Sequence, residues 1–176
     1  GYLLMFCMFF VFAGVLNILP FRVKEISESI NEFQISLLYL GYGMGVLVSL
    51  MSKRIVKIFK TELNTIVIGM LIFIFVCFFL VSKDVVFLFV MLFIFCIGMF
   101  TVHTMSTGLA NSMKSEQKSL TSGMYLTFYY LGGAIGSFIP SIIYEKLGWN
   151  IMIYSFIFIL ICMLFLIYKY KKIFNT

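Results

Sequence analysis

Six stretches of this chain are long and apolar enough to cross a lipid bilayer, and no other feature of the sequence restricts the fold as much. They cover approximately residues 2–21, 34–52, 63–82, 85–112, 120–144 and 150–168. Each reaches or approaches the roughly 20 residues that a helix rising 1.5 Å per residue needs to cross about 30 Å of hydrocarbon. The runs are unbroken and lack period-2 alternation, which excludes an outer-membrane barrel. With 62% hydrophobic and 11% charged residues, a water-soluble domain is excluded as well. The expectation is an all-α membrane protein whose 176 residues form one six-helix transmembrane domain.

The placement of Lys and Arg sets the expected orientation. With the first residue inside, the inner segments hold Lys53, Arg54, Lys57, Lys60, Lys114, Lys118, Lys169, Lys171 and Lys172, while the outer loops hold Arg22, Lys24, Lys83 and Lys146. Nine cations against four place both ends of this segment on the cytoplasmic side of the cell (inner) membrane. The net charge of +6 is thus a topology signal and gives no reason to invoke nucleic acid. The basic run Ser52–Lys60 is accounted for by anchoring, with some contact to anionic lipid. Arg22–Phe33 reads as an outer connector in which Ser27–Ile30 could form a short surface helix. The first apolar run has neither a basic leader nor a cleavage site and reads as a true span. Because the chain opens at Gly1 without a methionine, a longer parent chain is expected.

Polar residues are rare enough to be read one by one. Cys7, Cys77, Cys96 and Cys162 lie singly in apolar runs, so neither a disulfide framework nor a metal site is indicated. No cofactor is called for either. There is no nucleophile–base pair and no phosphate loop, and an enzyme is not expected. The richest stretch is Gly98–Pro140, two spans joined by a hinge at Met113–Ser119. On its first helix His103, Thr104, Thr107 and Asn111 fall within an arc of about 100°, forming one polar stripe. An ionisable group at membrane depth faces protein or water; His103 reads either as a neutral helix-bonding residue, as a cavity-lining group or as a proton carrier. On the next helix Ser122, Tyr125, Tyr129, Gly133, Gly136 and Pro140 share one face. Asn17, near the outer end of the first span, is open to two readings: an interhelical hydrogen bond or a cavity-lining ligand group.

Glycine spacing adds a second signal. Tyr39–Gly45 and Tyr130–Gly136 both read YLGxxxG, 91 positions apart. Gly41 and Gly45, like Gly132 and Gly136, have the small-xxx-small spacing that lets two helix backbones approach. The second and fifth spans run in opposite directions, so the shared motif is what a 3+3 inverted repeat leaves behind. The third and sixth spans are almost uniformly apolar and read as lipid-facing scaffold.

At these residues the chain resembles the major facilitator superfamily, specifically its C-terminal half of six helices in the bacterial drug and sugar efflux branch. Gly98–Gly108 (GMFTVHTMSTG) is similar to that branch's tenth helix. FYYLGGAIGSFIPSIIYEKLGW, ending at Trp149, is similar to the eleventh helix and the Gly-Trp that opens the twelfth. Asn17–Phe21 followed by Ile35–Leu40 resembles the seventh-to-eighth helix passage. The family's inner-loop pattern G-x-x-x-D-R-x-G-R-R is absent: Ser52, Val56, Lys57, Phe59, Lys60 and Thr61 stand at its defining places, so the likeness does not extend to a charge latch there.

The resemblance implies a secondary active transporter, an efflux permease that moves a small-molecule substrate by alternating access. This chain would supply one half, and its partner would be the N-terminal six-helix half or a second copy of itself. A self-dimerising six-helix transporter and a non-transporting remnant or assembly subunit are the alternatives. On this reading Asn17, His103, Thr107 and Tyr129 border the substrate path. Gly41, Gly45, Gly132, Gly133, Gly136 and Pro140 serve close helix packing and gating. Replacing Gly136 by Leu is expected to stop transport while leaving membrane insertion intact.

Overall fold

A computed structural model of the chain describes residues 1–112 and 115–174, with side chains described except at 115–118 and 170–174. Among the described residues every regular element is a helix, without strands, and six of the helical segments are long and apolar enough to span a membrane. In chain order they are α1 (Tyr2–Ile26), the composite second span, α4 (Glu62–Phe79), α5 (Val85–Asn111), α6 (Ser115–Leu147) and α7 (Trp149–Phe174). The second span is wound in three pieces: α2 (Glu32–Ser36), a 3₁₀ stretch (Leu37–Tyr42) and α3 (Gly43–Phe59).

Local chemistry sets the breaks. Asn31 and Gln34 form a reciprocal capping box that starts α2, so Ser27–Ile30, expected as a short helix, is a turn and the helix begins after it. The Thr61 hydroxyl accepts from the Asn64 backbone N–H at 3.1 Å and starts α4. Asp84 does the same for α5 through the Phe87 N–H at 2.9 Å. Gly148, at φ +84°, turns the chain from α6 into α7, a conformation that glycine adopts without a Cβ penalty. The expected hinge at Met113–Ser119 is helical from Ser115 onward; Met113 and Lys114 lie outside the described residues.

Lipid is as apolar as a leucine side chain, so what holds membrane helices to each other is close packing. Here it is concentrated in three seams, two parallel and one antiparallel. α1 runs parallel to α6, and their contacts advance in steps of four residues. Tyr2 stacks on Phe128, Gly132 lies against the Phe6 backbone, Gly136 against the Phe10 backbone, and Pro140 against Gly14. The second span runs parallel to α5, with Gly41 against Cys96 and Gly45 against the Phe100 ring. Gly132 and Gly136 stand 91 positions after Gly41 and Gly45, while Cys96 and Phe100 stand 90 positions after Phe6 and Phe10. The glycines of each middle helix therefore pack on the first helix of the other three-helix group. This exchange makes the inverted repeat a property of the packing as well as of the sequence.

A third seam is antiparallel. α4 and α5 form a hairpin in which Gly69 and Gly98 face each other and Phe73 stacks on Phe95, with ring centroids 4.1 Å apart. Phe12 of α1 sits over this pair, 5.7 Å from Phe95, and touches Tyr42 and Phe100 by their edges. The Trp149 indole donates to the Leu80 carbonyl at 2.7 Å and ties the start of α7 to the end of α4. At that same end Glu25 bridges two helices, paired with Arg22 at 3.2 Å and accepting from the Tyr144 hydroxyl.

The distribution of burial differs from the expected one. α1 is the centre of the bundle, 72% buried over its apolar window, whereas the second and fifth spans are barest at 17% and 22%. α4, expected as plain scaffold, buries one whole face (Thr65, Ile66, Gly69, Met70, Phe73, Ile74 and Cys77) and exposes Leu71, Phe75 and Phe78 on the other.

Candidate functional site

The polar stripe of α5 and the tyrosine face of α6 meet. Tyr125, four residues before Tyr129 and buried, carries the junction: its hydroxyl lies 2.9 Å from His103 Nδ1 and 3.1 Å from Thr107 Oγ1. Thr107 also donates to the His103 carbonyl at 2.8 Å, one turn back on its own helix. Tyr129 closes the cluster, its ring 4.8 Å from the imidazole and stacked on Phe9 of α1 at 4.0 Å and 8°. Farther along the same two helices Ser122 donates to Asn111 at 2.9 Å.

Two proton arrangements satisfy these atoms. In one, the phenol donates to an unprotonated Nδ1 and the imidazole carries its proton on Nε2. In the other, Nδ1–H donates to the phenol oxygen and the phenol O–H turns to the His103 carbonyl, 3.4 Å away. Thr107 keeps its bond to the His103 carbonyl in both. A histidine protonated on both nitrogens fits the second arrangement without an unpaired donor at Nδ1. His103 also lines a groove of ≈ 490 Å³ between the second and fourth spans, with Tyr42, Gly45, Ser49, Leu50, Phe100 and Thr104.

Asn17 is not part of this cluster. Its amide donates to Ser137 Oγ at 2.8 Å, and it lies about 12 Å beyond Phe9 along α1, counting eight residues at 1.5 Å. Within Val11–Leu19 it alone is exposed. It therefore makes the interhelical bond that was one of its two readings, on a face left open by the bundle. His103, Thr107 and Tyr129 are brought together; Asn17 forms a separate polar pair on the α1–α6 seam.

The glycines are engaged inside the chain. A Cβ at Gly132 or Gly136 would overlap the backbone of α1, and one at Gly133 would overlap the Phe9 ring. Gly41, Gly45 and Pro140 are likewise in contact with α5 and α1. A leucine at 136 would thus meet the α1 backbone and disrupt the packing of this bundle itself. Tyr125 and Phe9 were not singled out as site residues from the sequence. Tyr125 had a signal, its place on the tyrosine face, whereas Phe9 is one aromatic among many. Among the described residues no three or more His, Cys, Asp or Glu gather to hold a metal.

A six-helix membrane bundle built as an inverted repeat, with a histidine, a tyrosine and a threonine bonded to one another between two spans, is of the class of transporter-type membrane folds. The sequence profile described as Major Facilitator Superfamily matches residues 1–173, and the chain belongs to that superfamily. It is accordingly a multi-pass membrane protein of the major facilitator transporter type. No curated protein and no solved structure matches it.

Proposed function

We propose that the protein is a secondary active transporter of the efflux type and that this chain is the C-terminal half of its pathway. The half rocks against a partner half to expose a midplane site to each side of the inner membrane in turn. The His103–Tyr125–Thr107 cluster beside the groove carries the reading, because it accommodates a neutral or a charged imidazole by reorienting one phenol proton. His103, Thr107 and Tyr129 border the substrate path, with Asn17 at its Ile26 end. No Asp or Glu lies within the apolar core of any of the six spans, so a proton carrier in this half would be His103. The partner is the N-terminal six-helix half; a second copy of the chain is the other reading, favoured by the bareness of the second and fifth spans toward any neighbour.

Inverted vesicles loaded with a panel of lipophilic dyes and labelled sugars test this. An imposed pH gradient should drive transport in the wild type. In His103→Ala, gradient-driven transport should fall at least about tenfold, while exchange of substrate without a gradient persists. Equal gradient dependence in the two proteins would rule out His103 as the coupling group, and absence of any transport across the panel would count against the efflux assignment.

A further inference from the structure

At the turn between the second and third spans the basic run stands next to a groove. Lys53 and Lys57 stand one turn apart on α3, Arg54 lies beside them, and Lys60 ends the helix at φ +71°. All four are exposed, and none has an ion-pair or hydrogen-bond partner among the described residues. Between Ser52 and Asn64 the only acid is Glu62. Next to the last turn of α3, which carries Lys57, a groove of ≈ 330 Å³ runs between the end of α3 and the start of α4. Lys60 stands at it, and its walls are Ile58, Phe59, Val67 and Ile68. The groove is preformed, because the Asn64 amide donates to the Phe59 carbonyl at 3.1 Å while Thr61 caps α4.

Positive charge alone at a helix end orients a span and requires no ligand. A lysine in the wall of a largely apolar slot is a different arrangement, since it offers an anion and a hydrocarbon chain adjacent places. We propose that this turn binds an anionic phospholipid, its phosphate over Lys60 and Lys57 and one acyl chain lying in the groove against Val67 and Ile68. Each cation near an anionic headgroup strengthens binding by about fivefold at low salt.

Native mass spectrometry of the intact protein in detergent, with added phosphatidylglycerol or phosphatidylcholine of identical chains, tests the site. The wild type should retain phosphatidylglycerol preferentially, and Lys57→Gln/Lys60→Gln should retain roughly 25-fold less of it if the two contributions multiply. Val67→Trp keeps every charge but fills the groove, and it should also release the lipid. Lys83→Gln/Lys146→Gln, at the other end of the bundle, should change nothing. Equal retention of both lipids by the wild type overturns the proposal, and that comparison decides alone should a variant not fold. Loss with the lysine variant but not with Val67→Trp also overturns it, since charge without the groove is then enough. Displacement by millimolar inorganic phosphate as readily as by phosphatidylglycerol overturns it too, by assigning the site to a free anion.

Discussion

The Tyr125 hydroxyl meets both His103 Nδ1 and Thr107 Oγ1, so one oxygen decides which imidazole nitrogen holds the proton. Tyr125→Phe keeps the ring and its stack on Tyr129 while deleting that oxygen. Interhelical hydrogen bonds in membranes contribute about 0.6 to 2 kcal/mol, so the variant should melt only slightly lower in detergent. Its gradient-driven transport should respond to pH differently from the wild type, because Nδ1 has lost its partner. A wild-type pH profile in Tyr125→Phe would reduce the contact to packing. This cluster was half legible in the sequence. Helical spacing put His103 and Thr107 on one stripe and Tyr125 and Tyr129 on one face. Which face met which depends on the rotation of two helices about their own axes, and spacing within one helix does not encode that.

Helices approach closely where a side chain is missing, and the two parallel seams depend on different kinds of neighbour. At Gly132 and Gly136 the neighbour is backbone, which cannot move aside, whereas at Gly45 it is the Phe100 ring. Overpacking costs about 1 to 3 kcal/mol where neighbours can adjust; Gly132→Ala and Gly136→Ala should reach or exceed the top of that range and lower folded yield sharply. Gly123 has open space around it, so Gly123→Ala should be neutral or stabilise by up to about 1 kcal/mol through helix propensity. Thermal melting of the three variants in one detergent checks the order, and equal melting of Gly123→Ala and Gly136→Ala would remove the seam. The YLGxxxG pair made these glycines readable, since each motif presents two small residues on one face of its own helix. Gly69 had no such mark. Its small partner, Gly98, is on the next helix, and the register between α4 and α5 is set by the turn and by the Phe73–Phe95 stack.

Exposed apolar surface on a membrane protein requires no partner, because lipid solvates it. Exposed polar surface at depth does require one, since hydrocarbon offers no hydrogen bonds. Exposed polar side chains are concentrated on three of the helices, where they are mixed with apolar ones such as Leu47, Leu50 and Phe138. The outer faces of α4 and α7 show Leu71, Phe75, Phe78, Phe158, Ile161 and Phe165. The open faces of α1, the second span and α6 show Asn17, Tyr42, Ser49, Thr127, Tyr130 and Ser137. A second protein wall or water along this side would satisfy those polar groups. In a background with Cys7, Cys77, Cys96 and Cys162 replaced, Ser49→Cys and Ser137→Cys should react with a membrane-impermeant maleimide in intact membranes or inverted vesicles. Phe75→Cys and Phe158→Cys should stay unlabelled unless the membrane is dissolved. A short bifunctional thiol reagent then identifies the wall: with Leu50→Cys, which is 79% exposed, a product of twice the mass means a second copy. Cross-linking to a cysteine placed in an N-terminal half, with no such dimer, means the two halves of a single transporter. Labelling of Phe75→Cys as fast as Ser137→Cys would show that both sides face the same medium, and the placement of the exposed polar groups would then carry no information about a partner.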